Sequence, residues 1–171
     1  MRFNQFINSI IMKNILIILA FVMISGLYSN TQAKTRQTGE KTFIAKSDEC
    51  LSLIEQAAQK ISIKGVAIVA FIPGNATETW ISKMKVVGHL TDGKNNLLGI
   101  AYTKASEMAD TFKDSGSGVR AIYSGELGYK GGLIKKVNSG YILAVFSGGS
   151  GEQDVEVSRI GLEWLSKYYS H

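Results

Sequence analysis

The chain carries one cysteine, one proline and two histidines among its 171 residues. A single thiol, Cys50, excludes an intrachain disulfide and a cysteine-based zinc cluster, so the fold rests on packing alone. With only His89 and His171 as imidazole bases, a serine–histidine–aspartate triad has few ways to form, and no catalytic residue set stands out. Lysine and arginine are spread along the chain rather than gathered into a footprint, so the formal charge of +5 does not point to nucleic acid as a partner. Internal repeats and low-complexity tracts are absent as well, which leaves a single globular domain as the expectation.

The apolar residues near the amino terminus have a different meaning. Met12-Lys13-Asn14 precedes "ILIILAFVMISGLY" and then "SNTQA", a basic start, an apolar run and a small-residue ending. Residues 1–33 read as a secretory signal cut after Ala33, with translation starting at Met12. The apolar run from Ile15 to Ile24 is shorter than the roughly 20 residues of a membrane-spanning helix, and no cysteine stands at the cleavage site for a lipid anchor. The expectation is therefore a periplasmic or secreted protein with no stable membrane anchor. Removing this segment takes away Arg2 and Lys13 and no acidic residue, which lowers the charge to +3.

Residues 34–46, "KTRQTGEKTFIAK", are polar apart from Phe43 and Ile44 and read as a flexible arm that docks at its end. The domain then spans 47–171. Ser47, followed by Asp48 and Glu49, resembles a helix start, and Cys50, Ile54, Ala57, Ala58 and Ile61 recur at helical spacing toward Gly65. "VAIVAFI", residues 66–72, is a β-branched apolar run stopped by Pro73-Gly74-Asn75, which predicts a buried strand. An imperfect alternation over 77–87 predicts its partner strand. From Leu98, the positions Ala101, Ala105, Met108 and Phe112 trace a second helix, ended by "KDSGSG". "LIKKV", Asn138-Ser139-Gly140 and "YILAVF" form a hairpin pattern. A closing helix follows with Ser150 and Gln153 spaced as a capping box, and its buried face is expected to carry Val157, Ile160, Gly161, Trp164 and Tyr168. The class is α+β: a mainly antiparallel sheet with about three helices.

Between the hairpin and that helix lies "VFSGGSGEQD", residues 145–154. Strand, glycine turn and helix in this order suggest a phosphate cradle, but Glu152 and Gln153 stand where a P-loop has lysine and a hydroxyl, and the third glycine of a dinucleotide fingerprint is missing. Glu152 and Asp154 in the first helical turn complement the helix end and repel a phosphate. A tight strand-to-helix turn is the better reading.

The same residues carry a family resemblance. "GGLIKKVNSGYILAVFSGGSGEQDVEVSRIGLEWL" resembles the carboxy-terminal signature of the GlcG/HbpS-like haem-binding family, a DUF336-type domain: a glycine pair, a hairpin, then a glycine turn into a helix. The segments 47–64, 66–72 and 92–109 match in the same order but more loosely. The first hairpin departs from the pattern, with "IPGNATETW" in place of an acidic, glycine-rich turn, and "LI" follows the glycine pair where "PI" is usual. The resemblance implies a profilin-like domain, assembly into a homo-oligomer, and haem or a related tetrapyrrole as cofactor and partner. It also implies that Gly131, Gly132, Gly148, Gly149, Gly151, Gln153 and Asp154 are a fold signature bordering a ligand pocket. Sequestration, transport or sensing of haem is the function expected; haem degradation, other small-molecule catalysis, or a structural module with a vestigial pocket are the alternatives.

Haem iron is held by histidine, thiolate, methionine or tyrosinate. His89 in "VVGHLTDG" is the better-placed imidazole, His171 being terminal. Cys50 lies on an apolar stripe, where a buried inert thiol competes with a ligand role. Met84 and Met108 read as core fillers. Among Tyr102, Tyr123, Tyr129 and Tyr141, Tyr129 stands beside the glycine pair. Lys135, Lys136 and Arg120 are the basic residues available to a propionate.

Overall fold

The computed structural model describes Thr31 and residues 33–169. The signal read in residues 1–33 lies outside them except for Thr31 and Ala33, and so does His171. Among the described residues no helix is long and apolar enough to cross a membrane.

Of the described residues, 36–169 gather into one compact unit. The first helix, α1, covers 33–60, so the segment expected as a flexible arm is helical and Ser47 is not a helix start. The polar residues of 34–46 face water, while Gly39, Phe43 and Ser47 are buried and continue the Cys50, Ile54 and Ala58 stripe toward the amino terminus. Tyr169 fastens this extension by donating its hydroxyl to the Gly39 carbonyl at 3.0 Å. Phe43, Phe71 and Tyr169 stack beside it.

Four strands follow as β1 (Gly65–Pro73), β2 (Ile81–Val87), β3 (Gly132–Val137) and β4 (Gly140–Ser147), with α2 (Leu97–Thr111) between β2 and β3 and α3 (Gly151–Ser166) after β4. The sheet is antiparallel throughout, in the order β2-β1-β4-β3. The α+β class, the buried strand at 66–72, its partner, and the hairpin all appear where the sequence pattern places them. Segment 119–131 has no regular structure.

Both central strands are buried on both faces, which is why β1 and β4 read as unbroken apolar runs rather than alternating ones. Ala67, Val69, Phe71, Ile142, Ala144 and Phe146 point to one side, into the core shared with α1 and α3. Val66, Ile68, Ala70, Ile72, Leu143 and Val145 point to the other, where Ala101, Ala105 and Met108 of α2 close the second core. At the edge strand β2, Lys83 and Lys85 meet Asp48 and Glu55 of α1. These ion pairs account for the imperfect alternation there.

Helix ends follow local chemistry. Asn96 caps α2 by accepting from the Gly99 N–H at 3.0 Å, and the Ser150–Gln153 capping box forms as spaced. The buried face of α3 is rotated from the expected stripe: Asp154, Val157, Ser158, Gly161, Leu162 and Leu165 turn inward, whereas Ile160 and Tyr168 are exposed. Hydrogen bonding at Asp154 and Ser158 accounts for the rotation, since it draws two polar residues inside.

Candidate functional site

The two glycine segments of the sequence meet at one buried ion pair. Lys104 of α2 and Asp154 of α3 are 3 % and 2 % exposed, and Lys104 Nζ donates to Asp154 Oδ2 at 2.8 Å and to the Phe146 carbonyl at 3.0 Å. Asp154 Oδ1 accepts from the Gly149 N–H at 2.8 Å, so the same carboxylate pins the glycine turn. Ser158 donates its hydroxyl to the Gly131 carbonyl at 2.7 Å, and the Phe146 N–H donates there too. The Gly132 N–H is received by Ser115 Oγ at 2.8 Å.

Glycine is required where these chains converge. Gly131 has φ +135°, and a Cβ there would collide with Lys104 Nζ and the Asp154 side chain. At Gly148 a side chain would run into the Lys64 carbonyl, which lies against it as β4 leaves β1.

Above the pair opens a cleft of about 510 Å³, bordered by the glycine turn, the start of α2 and residues 128–130. Its rim carries Asp92, Tyr129, Lys130 and Glu152, and Lys104 and Asp154 reach its floor. Asp92 is locked in its turn by the Asn95 side chain and by the Lys94 and Asn95 N–H groups, which hold its carboxyl down near about 2. Lys130 and Glu152 stand 3.9 Å apart across the rim. Burial pushes Lys104 below the ordinary lysine range and Asp154 above the ordinary carboxylate range, each against the attraction of its partner.

The residues singled out from sequence are distributed unevenly about this cleft. Tyr129 lines it, 53 % exposed, together with Gly148, Gly149, Gly151 and Asp154. Gly131 packs against Lys104 and Asp154 and Gly132 against Met108, and neither is among the lining residues. Gln153 is used in the capping box. His89 is exposed in the segment after β2 and is not among the lining residues. Cys50 is fully buried between α1 and α3, its thiol donating to the Gly161 carbonyl at 3.3 Å, and burial pushes its pKa up to about 12. Lys135 reaches Ser166 Oγ at 3.0 Å. Arg120 pairs with Asp110 and Glu126 and lies 3.8 Å over the Tyr123 ring, bracing the irregular segment. Met108 packs under Gly132, Met84 against the α2 core, and Tyr141 on Phe112 at 4.4 Å. Lys104 was not read as a site residue, although its place between Ala101 and Met108, on the buried face of α2, is the signal that marks it.

No family model matches the chain, and no curated protein matches it. Among solved structures it is similar to the Klebsiella pneumoniae protein ORFY, described as belonging to DUF336, with a TM-score of 0.47 and 16% identity over 71% of this chain and 88% of that one. It is also similar to the Ybr137w protein, again with a TM-score of 0.47 and 16% identity, over 77% of this chain and 88% of that one.

Proposed function

We propose that this chain is an exported, non-enzymatic binder of haem or a related tetrapyrrole, which it sequesters, carries or senses in the cleft above the Lys104–Asp154 pair. The observation that supports this reading is the convergence on one cleft of the glycine turn at 148–151 and of residues 128–130, which lead into the glycine pair, with Tyr129 and Lys130 at its rim. Its volume falls within the range of small-molecule and cofactor sites. The donor set fits the group: a tyrosine phenolate belongs to the known classes of haem-iron ligand, and a lysine ammonium meets a propionate. Tyr129 would hold the iron and Lys130 a propionate, in competition with its loose contact to Glu152. Bound haem would supply an iron centre whose ligand field reports on Tyr129. His89 and Cys50 take no part in this reading, one standing outside the cleft and the other sealed in the core.

The oligomer that the family resemblance implies has a candidate surface in segment 119–127, where Val119, Ile122, Tyr123 and Leu127 are all exposed.

Titration of the full chain with hemin, followed at the Soret band and by size exclusion, tests both. A saturable, red-shifted band at stoichiometric ratio is expected, displaced in Tyr129→Phe and unchanged in His89→Ala and Cys50→Ala. A signal that never saturates would remove haem from the cleft. Release of iron and a bilin under reductant would replace carriage with degradation.

A further inference from the structure

Lys104 is the one buried lysine among the described residues; the others are half-buried or exposed. Its side chain ends at the floor of the cleft, where two of its three N–H groups go to Asp154 and the Phe146 carbonyl. The Gly131 backbone packs directly against Nζ, where a Cβ would collide with it, so the amine is approached from the cleft side that Lys104 and Asp154 line. A buried amine, a carboxylate 2.8 Å away and an adjoining cleft together make a recognisable arrangement for covalent chemistry.

We infer that Lys104 captures a small uncharged aldehyde or ketone from the cleft as an imine, with Asp154 as its proton partner. Only the free amine attacks a carbonyl. Burial disfavours both charges, moving Lys104 downward and Asp154 upward, and the carboxylate 2.8 Å away is the acceptor within reach of the ammonium proton. The amine nitrogen then adds to the carbonyl carbon, and a proton moves from nitrogen to oxygen to give a neutral carbinolamine. Asp154 protonates the hydroxyl, the C–O bond breaks, and water leaves as C=N forms; the nitrogen keeps its last proton, so the product is a protonated imine paired with the Asp154 carboxylate. The balance is ammonium plus carbonyl giving protonated imine plus water, with no oxidant or reductant. Hydrolysis releases the captured molecule by the reverse path.

Rim charge selects the carbonyl. Asp92, Glu152 and Asp154 face Lys104 and Lys130, an excess of one negative charge that disfavours oxo acids relative to neutral aldehydes. This chemistry stands apart from the tetrapyrrole reading and holds whether or not hemin binds.

The test is reductive trapping of the full chain with propionaldehyde and sodium cyanoborohydride near neutral pH, with peptide mapping by mass spectrometry. At limiting aldehyde, the propyl label is expected on Lys104 at least about tenfold faster than on Lys130, its exposed neighbour at the rim, because a displaced amine is free more often than a surface one. In urea the preference should vanish. Replacing propionaldehyde with pyruvate should lower the rate at Lys104. Label confined to surface lysines, with Lys104 unmodified in the folded protein, overturns the inference, as does an equal preference in urea. The comparison is made within one wild-type molecule, so it does not depend on Lys104→Met folding; where that variant folds by circular dichroism, it should lose the fast-labelled site and keep the slow ones.

Discussion

At Lys104 the chain sets a cation on the buried face of an otherwise apolar helix stripe, and Asp154 answers it from α3. Removing one partner leaves the other charged and unpaired in the interior, so Lys104→Met or Asp154→Leu alone should destabilise by about 3–5 kcal/mol in urea unfolding. Replacing both together should restore most of that loss, because burial outweighs attraction for each group. A double variant as unstable as the singles would contradict this account. Cys50 gives a second residue-scale outcome. Its thiol ionises at about 12 in the fold against an ordinary 9.0. The folded state disfavours the thiolate, so this contribution to stability is complete below pH 9 and lost as pH rises toward 12. Thermal midpoints of Cys50→Ala should fall less over that window than those of wild type, and iodoacetamide should modify Cys50 only on unfolding. Burial of Cys50 was legible from its stripe. The role of Lys104 was not, because its place on the apolar stripe marks it as buried without naming the partner fifty residues away.

The elements differ in how plainly the sequence shows them. β1, β4 and the hairpin turn are visible because strands buried on both faces leave no polar interruption, and the capping box of α3 because two side chains at fixed spacing satisfy two backbone N–H groups. The start of α1 was misplaced because Ser47-Asp48-Glu49 has the chemistry of a helix start while lying inside one, where Ser47 Oγ donates to the Ile44 carbonyl. Burial at Gly39 and Phe43 comes from tertiary contacts with Tyr169 and Phe71, which local pattern does not report. The face of α3 was displaced for the same reason. Where α1 and α3 cross, Gly161 packs on Ile54 and Cys50, and a Cβ there would overlap the Ile54 side chain. Gly161→Val should therefore cost about 1–3 kcal/mol through overpacking. Unchanged stability would mean that the two helices separate without penalty.

Across the domain, α1 and α3 cover one face of the sheet and α2 covers the other. The cleft forms where chain leaving β4 for α3 passes the first turn of α2 and the segment entering β3. Its walls come from parts of the sequence far apart, so the glycine signature pointed to one border of the site while the floor, Lys104, and the opposing turn at Asp92 emerged only from the fold. Among the ligands proposed from residue type, the topology brings Tyr129 to the cleft and leaves His89 and Cys50 away from it. Amide hydrogen exchange of the full chain with and without hemin tests this placement most directly. The account predicts added protection confined to residues 128–131 and 147–151, with residues 88–90 around His89 unchanged. Protection centred on 88–90, or none at the glycine turn under saturating hemin, would contradict it.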